Sequence, residues 1–322
     1  VDEEKESGHE NLGIKALPNL EFNFISANSL ISLEHKEKEQ KELKDETMDG
    51  FIKSMRNIAE EYFNADSLDK KKKIKYKFDS LQSRIINESD FLTSDDKKKF
   101  LSWNPFENKS TDFFDSEIQF GTKFFDIVIG NPPYGAKISA EDKKYFKENY
   151  KYANQGSLDT YKIFIEKGFN LLDKNGNLNF IVPMSVTSGK SNIALHKMIL
   201  DNCKMIRVSS YNDRPSQVFN NAHQKISIIG FLRTDTKCKE LLTTKINRRY
   251  SSQSIDSVIK NLNFVNSLDF IQPEAFCKIG LPIEKSIMQK LYSQKQTLKD
   301  LMGGKQKVYY RNTGDIYYDL YT

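Results

Sequence analysis

Cysteine is scarce in this chain. Cys203, Cys238 and Cys277 lie far apart among 322 residues and form no CxxC pair, so neither a disulfide framework nor a zinc site is indicated. Four scattered histidines supply no ligand cluster, and no metal is expected. No apolar run is long enough to span a bilayer, and no signal peptide is present. A reducing cytoplasm and no membrane partner fit these absences best. What is present argues for a folded protein. Hydrophobic residues make up 38% and aromatic residues 12%, enough for one sizeable core plus a smaller unit. A charged fraction of 29% implies extensive solvated surface.

One stretch dominates the reading. Phe124-Phe125-Asp126-Ile127-Val128-Ile129-Gly130 is a short apolar run rich in β-branched residues, the pattern of a buried strand. Asn131-Pro132-Pro133-Tyr134 follows at once. Two prolines cannot continue a sheet ladder, so the strand must stop and turn there. In an open α/β sheet the crevice beyond the carboxyl ends of the strands is where ligands sit. The composition suits attack by an amine on a flat heterocycle, a poor nucleophile because its lone pair is delocalised. An Asn oxygen and a proline-flanked carbonyl can each accept one of its two N–H hydrogens, which favours a more pyramidal nitrogen. A Tyr ring can stack on the heterocycle. Positioning and electrostatic stabilisation then carry the catalysis.

FDIVIGNPPYG resembles the catalytic motif of the N6-adenine DNA methyltransferases, and more narrowly the methyltransferase part of the TaqI-like, type IIG restriction–modification enzymes. The resemblance implies a Rossmann-like α/β sheet that depends on S-adenosylmethionine. It implies Asn131, Pro132, Pro133 and Tyr134 as catalytic residues, and an adenine flipped out of double-stranded DNA as substrate. Leu17 to Leu30 is similar to the family's preceding strand, which places Asn28 where the adenosyl group is contacted; a plain turn Asn is the equal alternative. Asp159 to Pro183 resembles the family's next helix, Gly-containing turn and strand. Its positions 161, 164, 165, 169 and 172 follow helical spacing and are expected in the core. Phe219 matches a residue that stacks on the second face of the target adenine, with an ordinary buried Phe as the even alternative.

The family also uses a Gly-rich loop after its first strand and an acidic residue after its second. Neither precedes Asn28 in this sequence. The expectation is an internal fragment lacking the N-terminal strands, whose missing part supplies the rest of the cofactor site. Residues 1–322 alone are then expected to be inactive. Residues 1–33 and 122–235 form the partial catalytic core, with strands near 22–28, 125–130, 178–183, 205–210 and 226–232. Residues 34–121 read as a helical insertion: Phe51, Ile52, Met55, Ile58, Ala59, Tyr62 and Phe63 share one helical face, and Ile74, Phe78, Leu81 and Ile85 another. The 16 basic and 16 acidic residues over 34–99 leave no net field for phosphate, so Lys70–Lys73 reads as a solvated face. Residues 236–322 read as a linker and the start of a target-recognition domain, which Tyr309 to Tyr318 resembles.

Residues 201–322 hold 19 Lys and Arg against 11 Asp and Glu, a basic excess suited to the DNA backbone. Arg248-Arg249-Tyr250 mixes cations with an aromatic in that region. Two other functions share the motif. A protein glutamine N5-methyltransferase faces an amide nitrogen with the same two hydrogens, and a non-catalytic DNA-binding remnant would keep only the surface.

Overall fold

The computed structural model describes residues 19–33, 48–88, 92–107, 109–219, 223–271 and 275–296, with the backbone of 308–310 and 316–318. In chain order these form α1 (Met48–Phe63), α2 (Leu68–Glu88), α3 (Ser94–Leu101), α4 (Ser116–Phe120), β1 (Phe125–Gly130), α5 (Ala140–Asn149), α6 (Thr160–Leu171) and β2 (Leu172–Pro183). There follow α7 (Ile193–Asn202), β3 (Cys203–Tyr211), β4 (Ile226–Arg233), β5 (Glu240–Asn247), α8 (Ile255–Lys260), β6 (Val265–Asn266), α9 (Pro282–Tyr292), β7 (Val308–Tyr310) and β8 (Ile316–Tyr318). The architecture is α/β, with six strands in the order β1-β2-β4-β3-β5-β6. β3 runs antiparallel to β4 and parallel to β5, and β6 closes antiparallel on β5. Among the described residues, no helix is long and apolar enough to cross a membrane.

The chain divides into two compact units. One holds residues 1–129, 135–154 and 158–178; the other holds 130–134, 155–157 and 179–322. In the first, α1 and α2 form the expected helical pair. Their apolar residues recur at three and four, so each helix offers one stripe. Phe51, Met55, Ile58 and Tyr62 of α1 and Ile74, Phe78, Leu81 and Ile85 of α2 are buried. Phe22, Phe100, Trp103 and Phe113 join the same core. Phe78 meets Trp103 and Phe106 edge to face, each at 5.5 Å, a geometry that the ring quadrupoles favour. Lysines of α2 lie along this surface. Lys70 pairs with Asp66 at 2.9 Å and Lys77 with Glu61 at 2.6 Å, while Lys71 and Lys75 lie over the Tyr62 and Phe106 rings.

Helix starts follow their capping residues. Asp115 accepts from Glu117 N and Ile118 N to open α4. Ser139 accepts from Asp142 N to open α5, and Asp159 opens α6. Each fills a donor that has no partner within its helix. In the second unit, the Ser210 and Ser227 hydroxyls meet at 2.9 Å between β3 and β4, which satisfies polar groups in the interior of the sheet.

Four features differ from the sequence expectation. Residues 22–28 form no strand: Glu21–Asn23 is a turn, and only Ala27 makes an isolated parallel bridge to Thr111. The Phe22 ring is drawn into the helical core instead. β1 spans the expected residues but is not buried. Ile127 is 65% and Ile129 79% exposed; they share a face through the two-residue strand period, and β1 is terminal in the strand order. The expected Gly turn at 173–177 lies within one strand, β2, where Asn175 adopts φ 67°. Gly176 is needed there because a Cβ would stand 2.9 Å from Asp173 O and 3.0 Å from Phe125 O. Finally, the sheet runs past residue 235, since β5 pairs with β3 over Met205–Tyr211.

Candidate active site

The Asn131–Tyr134 tetrapeptide begins where β1 ends at Gly130. Neither Pro132 nor Pro133 carries an N–H, so neither can donate to a ladder. Pro132 is buried and anchors the turn, while Asn131 beside it is exposed. Tyr134 is half-buried. The chain then reverses through Gly135 at φ +66°, a conformation that costs a residue with a Cβ. The Gly135 N–H donates to Asp159 Oδ1 at 3.2 Å. Asp159 also accepts from Tyr161 N at 3.4 Å as the cap of α6. One carboxylate thus holds the exit of the tetrapeptide and the start of a helix.

Two further ionic groups of α6 are buried. Glu166 accepts three main-chain N–H bonds, from Lys151 at 2.8 Å, Tyr152 at 3.0 Å and Ala153 at 2.6 Å. Such bonds compensate a carboxylate for lost water. Lys162 lies one turn from the Asp159 cap; burial pulls its ammonium down to about 8, against the opposing charge of Asp159. The sequence reading assigned roles to none of Asp159, Lys162 and Glu166. The only signal was local: an Asp directly before an apolar-periodic run is a helix start. What that Asp holds 24 residues upstream is not written in any local pattern.

Asn28 is exposed. Its N–H donates to Thr111 O at 2.9 Å, and its Oδ1 accepts from Leu30 N at 3.3 Å. The side chain therefore makes the local turn bond typical of Asn. Phe219 is half-buried. Two residues before it, Gln217 O accepts from Arg249 Nε at 2.9 Å, and Arg249 Nη1 donates to Gln253 O at 3.2 Å, so this arginine clamps two loops. Asn131, Tyr134 and Phe219 fall in one compact unit and Asn28 in the other. Among the described residues, no group of three or more His, Cys, Asp or Glu is placed to hold a metal ion. Lys305–Lys307 and Arg311, with the aromatic side chains of 309, 310, 317 and 318, lie outside the described residues.

The chain is 28% identical over 153 residues to the type II restriction enzyme and methyltransferase RM.Eco57I of Escherichia coli, covering 44% of this chain and 14% of that protein. It is 41% identical over 69 residues to the type II methyltransferase M.TthHB8I of Thermus thermophilus, covering 18% of this chain and 16% of that protein. The matched stretches thus span a small part of these relatives' length. Among solved structures, it is similar to a type I restriction-modification system methyltransferase subunit from Streptococcus thermophilus. That likeness has a TM-score of 0.32 at 16% identity, over 60% of this chain and 38% of that one, and carries no weight beyond the sequence match. Residues 19–219 match the Eco57I restriction-modification methylase family; with well over half of its length inside that match, the chain belongs to this family.

Proposed function

We propose that this chain carries the catalytic turn of a site-specific DNA methyltransferase that methylates N6 of a flipped-out adenine in double-stranded DNA, within a restriction–modification system. One observation carries the reading: an exposed Asn131 stands beside a buried proline at the end of β1. A carboxamide there can reach a base, while the two prolines leave main-chain carbonyls with no competing N–H between them. Asn131 Oδ1 and the Pro132 carbonyl would each accept one amine hydrogen and localise the nitrogen lone pair. Tyr134 would stack on the adenine, and Phe219 on its other face.

S-adenosylmethionine, when bound, supplies an electrophilic methyl group on a sulfonium. The described residues fit it in part. Asn28 offers an exposed carboxamide, fixed in its turn by two main-chain contacts, which suits the hydrogen-bonding edge of an adenosyl group. The basic excess of residues 201–322 supports a DNA partner.

The test is Asn131→Ala in the full-length protein. Losing a group that acts in the transition state should lower kcat by about a hundredfold to a thousandfold, with the Kd for S-adenosylmethionine within about twofold. Tritium transfer to duplex DNA within about threefold of wild type would make Asn131 a turn residue only. Transfer to a glutamine-containing protein, with none to DNA, would move the substrate to a protein amide.

A further inference from the structure

The chain that leaves the catalytic turn folds into α5 and α6, and these reach the segment after Asn28 through three side-chain hydrogen bonds. Tyr150, the last residue of the α5 turn, donates its hydroxyl to Leu30 O at 2.7 Å. The Tyr145 hydroxyl accepts from Ser32 N at 2.9 Å. Lys167 of α6 donates to Ser32 Oγ at 2.5 Å. Leu30 and Ile31 pack into one core with Phe146, Tyr150, Ala153 and Ile163. Because residues 22–28 form no ladder, these contacts and the bridge to Thr111 fix Asn28. Glu166 pins residues 151–153 directly after Tyr150, and Asp159 holds Gly135. Lys167 and Ile163 of these ties lie on α6 itself, and Tyr150 directly precedes the loop that Glu166 of α6 pins.

We propose that Tyr150 is a positioning residue for the cofactor turn at Asn28, and that Asp159 is a positioning residue for Gly135, where the chain leaves the catalytic turn. The proposal rests on the function proposed above. Tyr150 suits the task because its hydroxyl is buried and burial pushes its pKa up, so it stays a donor across the working range. Among the described residues, the Leu30 carbonyl it satisfies would otherwise be buried without a partner. Asp159 suits its task because Gly135 has a left-handed φ, and the hydrogen bond holds the reversal that this φ begins.

The two roles predict opposite kinetic signatures in the full-length protein. Tyr150→Phe removes one oxygen and keeps the ring. Calorimetry should show the Kd for S-adenosylmethionine rising about tenfold, as for one lost buried hydrogen bond, with kcat at saturating cofactor within about twofold. Asp159→Ala should lower kcat about tenfold and leave that Kd within about twofold. Asp159→Asn keeps an acceptor and should restore most of kcat. A lower Tm for Tyr150→Phe with an unchanged Kd would reduce Tyr150 to a structural residue and overturn the proposal. Parallel losses of kcat and Kd in Asp159→Ala would also overturn it. A wild-type protein that neither binds S-adenosylmethionine nor methylates DNA would defeat the proposed function and this inference together. Wild-type binding with an unaltered Tyr150→Phe defeats this inference alone.

Discussion

Two helical pairs in this chain bury different things. α1 and α2 bury hydrocarbon and rings: Phe51, Met55, Ile58, Tyr62, Ile74, Phe78, Leu81 and Ile85. α6 and the loop after α5 also bury Lys162, Glu166 and the Tyr150 hydroxyl. Burial of apolar surface stabilises without direction. Burial of charge costs free energy unless hydrogen bonds meet it. The first pair is therefore built for stability, and the second holds particular backbone atoms in place at some cost in stability.

The largest effect should come from the apolar side of that comparison. Phe78 is fully buried and touches Phe22, Trp103 and Phe106. Phe78→Ala should destabilise the chain by about 3–5 kcal/mol, the transfer loss plus a cavity, measured by urea unfolding. A loss below about 1 kcal/mol would mean that the core of α1 and α2 can collapse around the gap, and the contrast would fail.

The charged side should announce itself in pH dependence. The Lys162 ammonium titrates near 8 in the folded chain instead of at its ordinary 10.5. Between those values the unfolded chain holds the extra proton, so folding stability rises as pH rises through that window. The gain is on the order of 3 kcal/mol at most, from 1.36 kcal/mol per unit. Urea unfolding from pH 7.5 to 10 should show this rise in wild type and a smaller one in Lys162→Met. Equal slopes would place Lys162 in contact with water.

Next in size is the ring of Tyr134. Stacking on a base is worth roughly 1–3 kcal/mol by alanine substitution. Tyr134→Ala should therefore lower kcat/KM for duplex DNA by about tenfold to a hundredfold, and Tyr134→Phe should be nearly neutral. Fluorescence of 2-aminopurine at the target adenine reports the same capture. Equal damage from both substitutions would mean that the hydroxyl acts, as the Tyr150 hydroxyl does, and Tyr134 would join the positioning groups.

The same division explains what could be read from the sequence. The eight core residues of α1 and α2 were legible because helical period and burial agree within one local stretch. Phe63 was misplaced on that face, since it is 42% exposed at the helix end, where the stripe drifts off the contact. β1 was placed at its observed residues because prolines fix its end. Of the five positions expected in the core after the proline turn, Tyr161, Ile165 and Phe169 are buried in α6 and Leu172 at the start of β2, while Phe164 is half-buried. The hydrogen bond from Gly135 to Asp159, the three amides on Glu166 and the hydroxyl of Tyr150 on Leu30 were not legible. Each joins residues distant in sequence, the last 120 apart, and a hydrogen-bonding side chain has no periodic signature. The failed strand at 22–28 belongs here too. Its composition suits a ladder, but strand pairing is non-local, and Phe22 found a better place among the rings of Tyr62, Phe78 and Phe106.

The smallest effect tests the sheet itself. β1 was read as buried, yet Ile129 is 79% exposed, whereas Ile206 in β3 is 1% exposed. Thr is β-branched like Ile and keeps the strand preference, so the same substitution compares the two environments. Ile206→Thr should cost about 1–3 kcal/mol, because methyl groups leave the core and a hydroxyl enters it. Ile129→Thr should stay within about 0.5 kcal/mol, the range of ordinary surface changes. Both are measured by urea unfolding of the 322-residue chain at several protein concentrations. Equal losses would mean that β1 is covered in solution. A loss at Ile129 that grows with protein concentration would identify the cover as a second copy of the chain, since only association makes stability depend on concentration. A small loss at every concentration leaves an apolar strand face in water directly behind Asn131. The position of the Asn131–Tyr134 turn would then be set by its anchor at Pro132 and by the tie from Gly135 to Asp159.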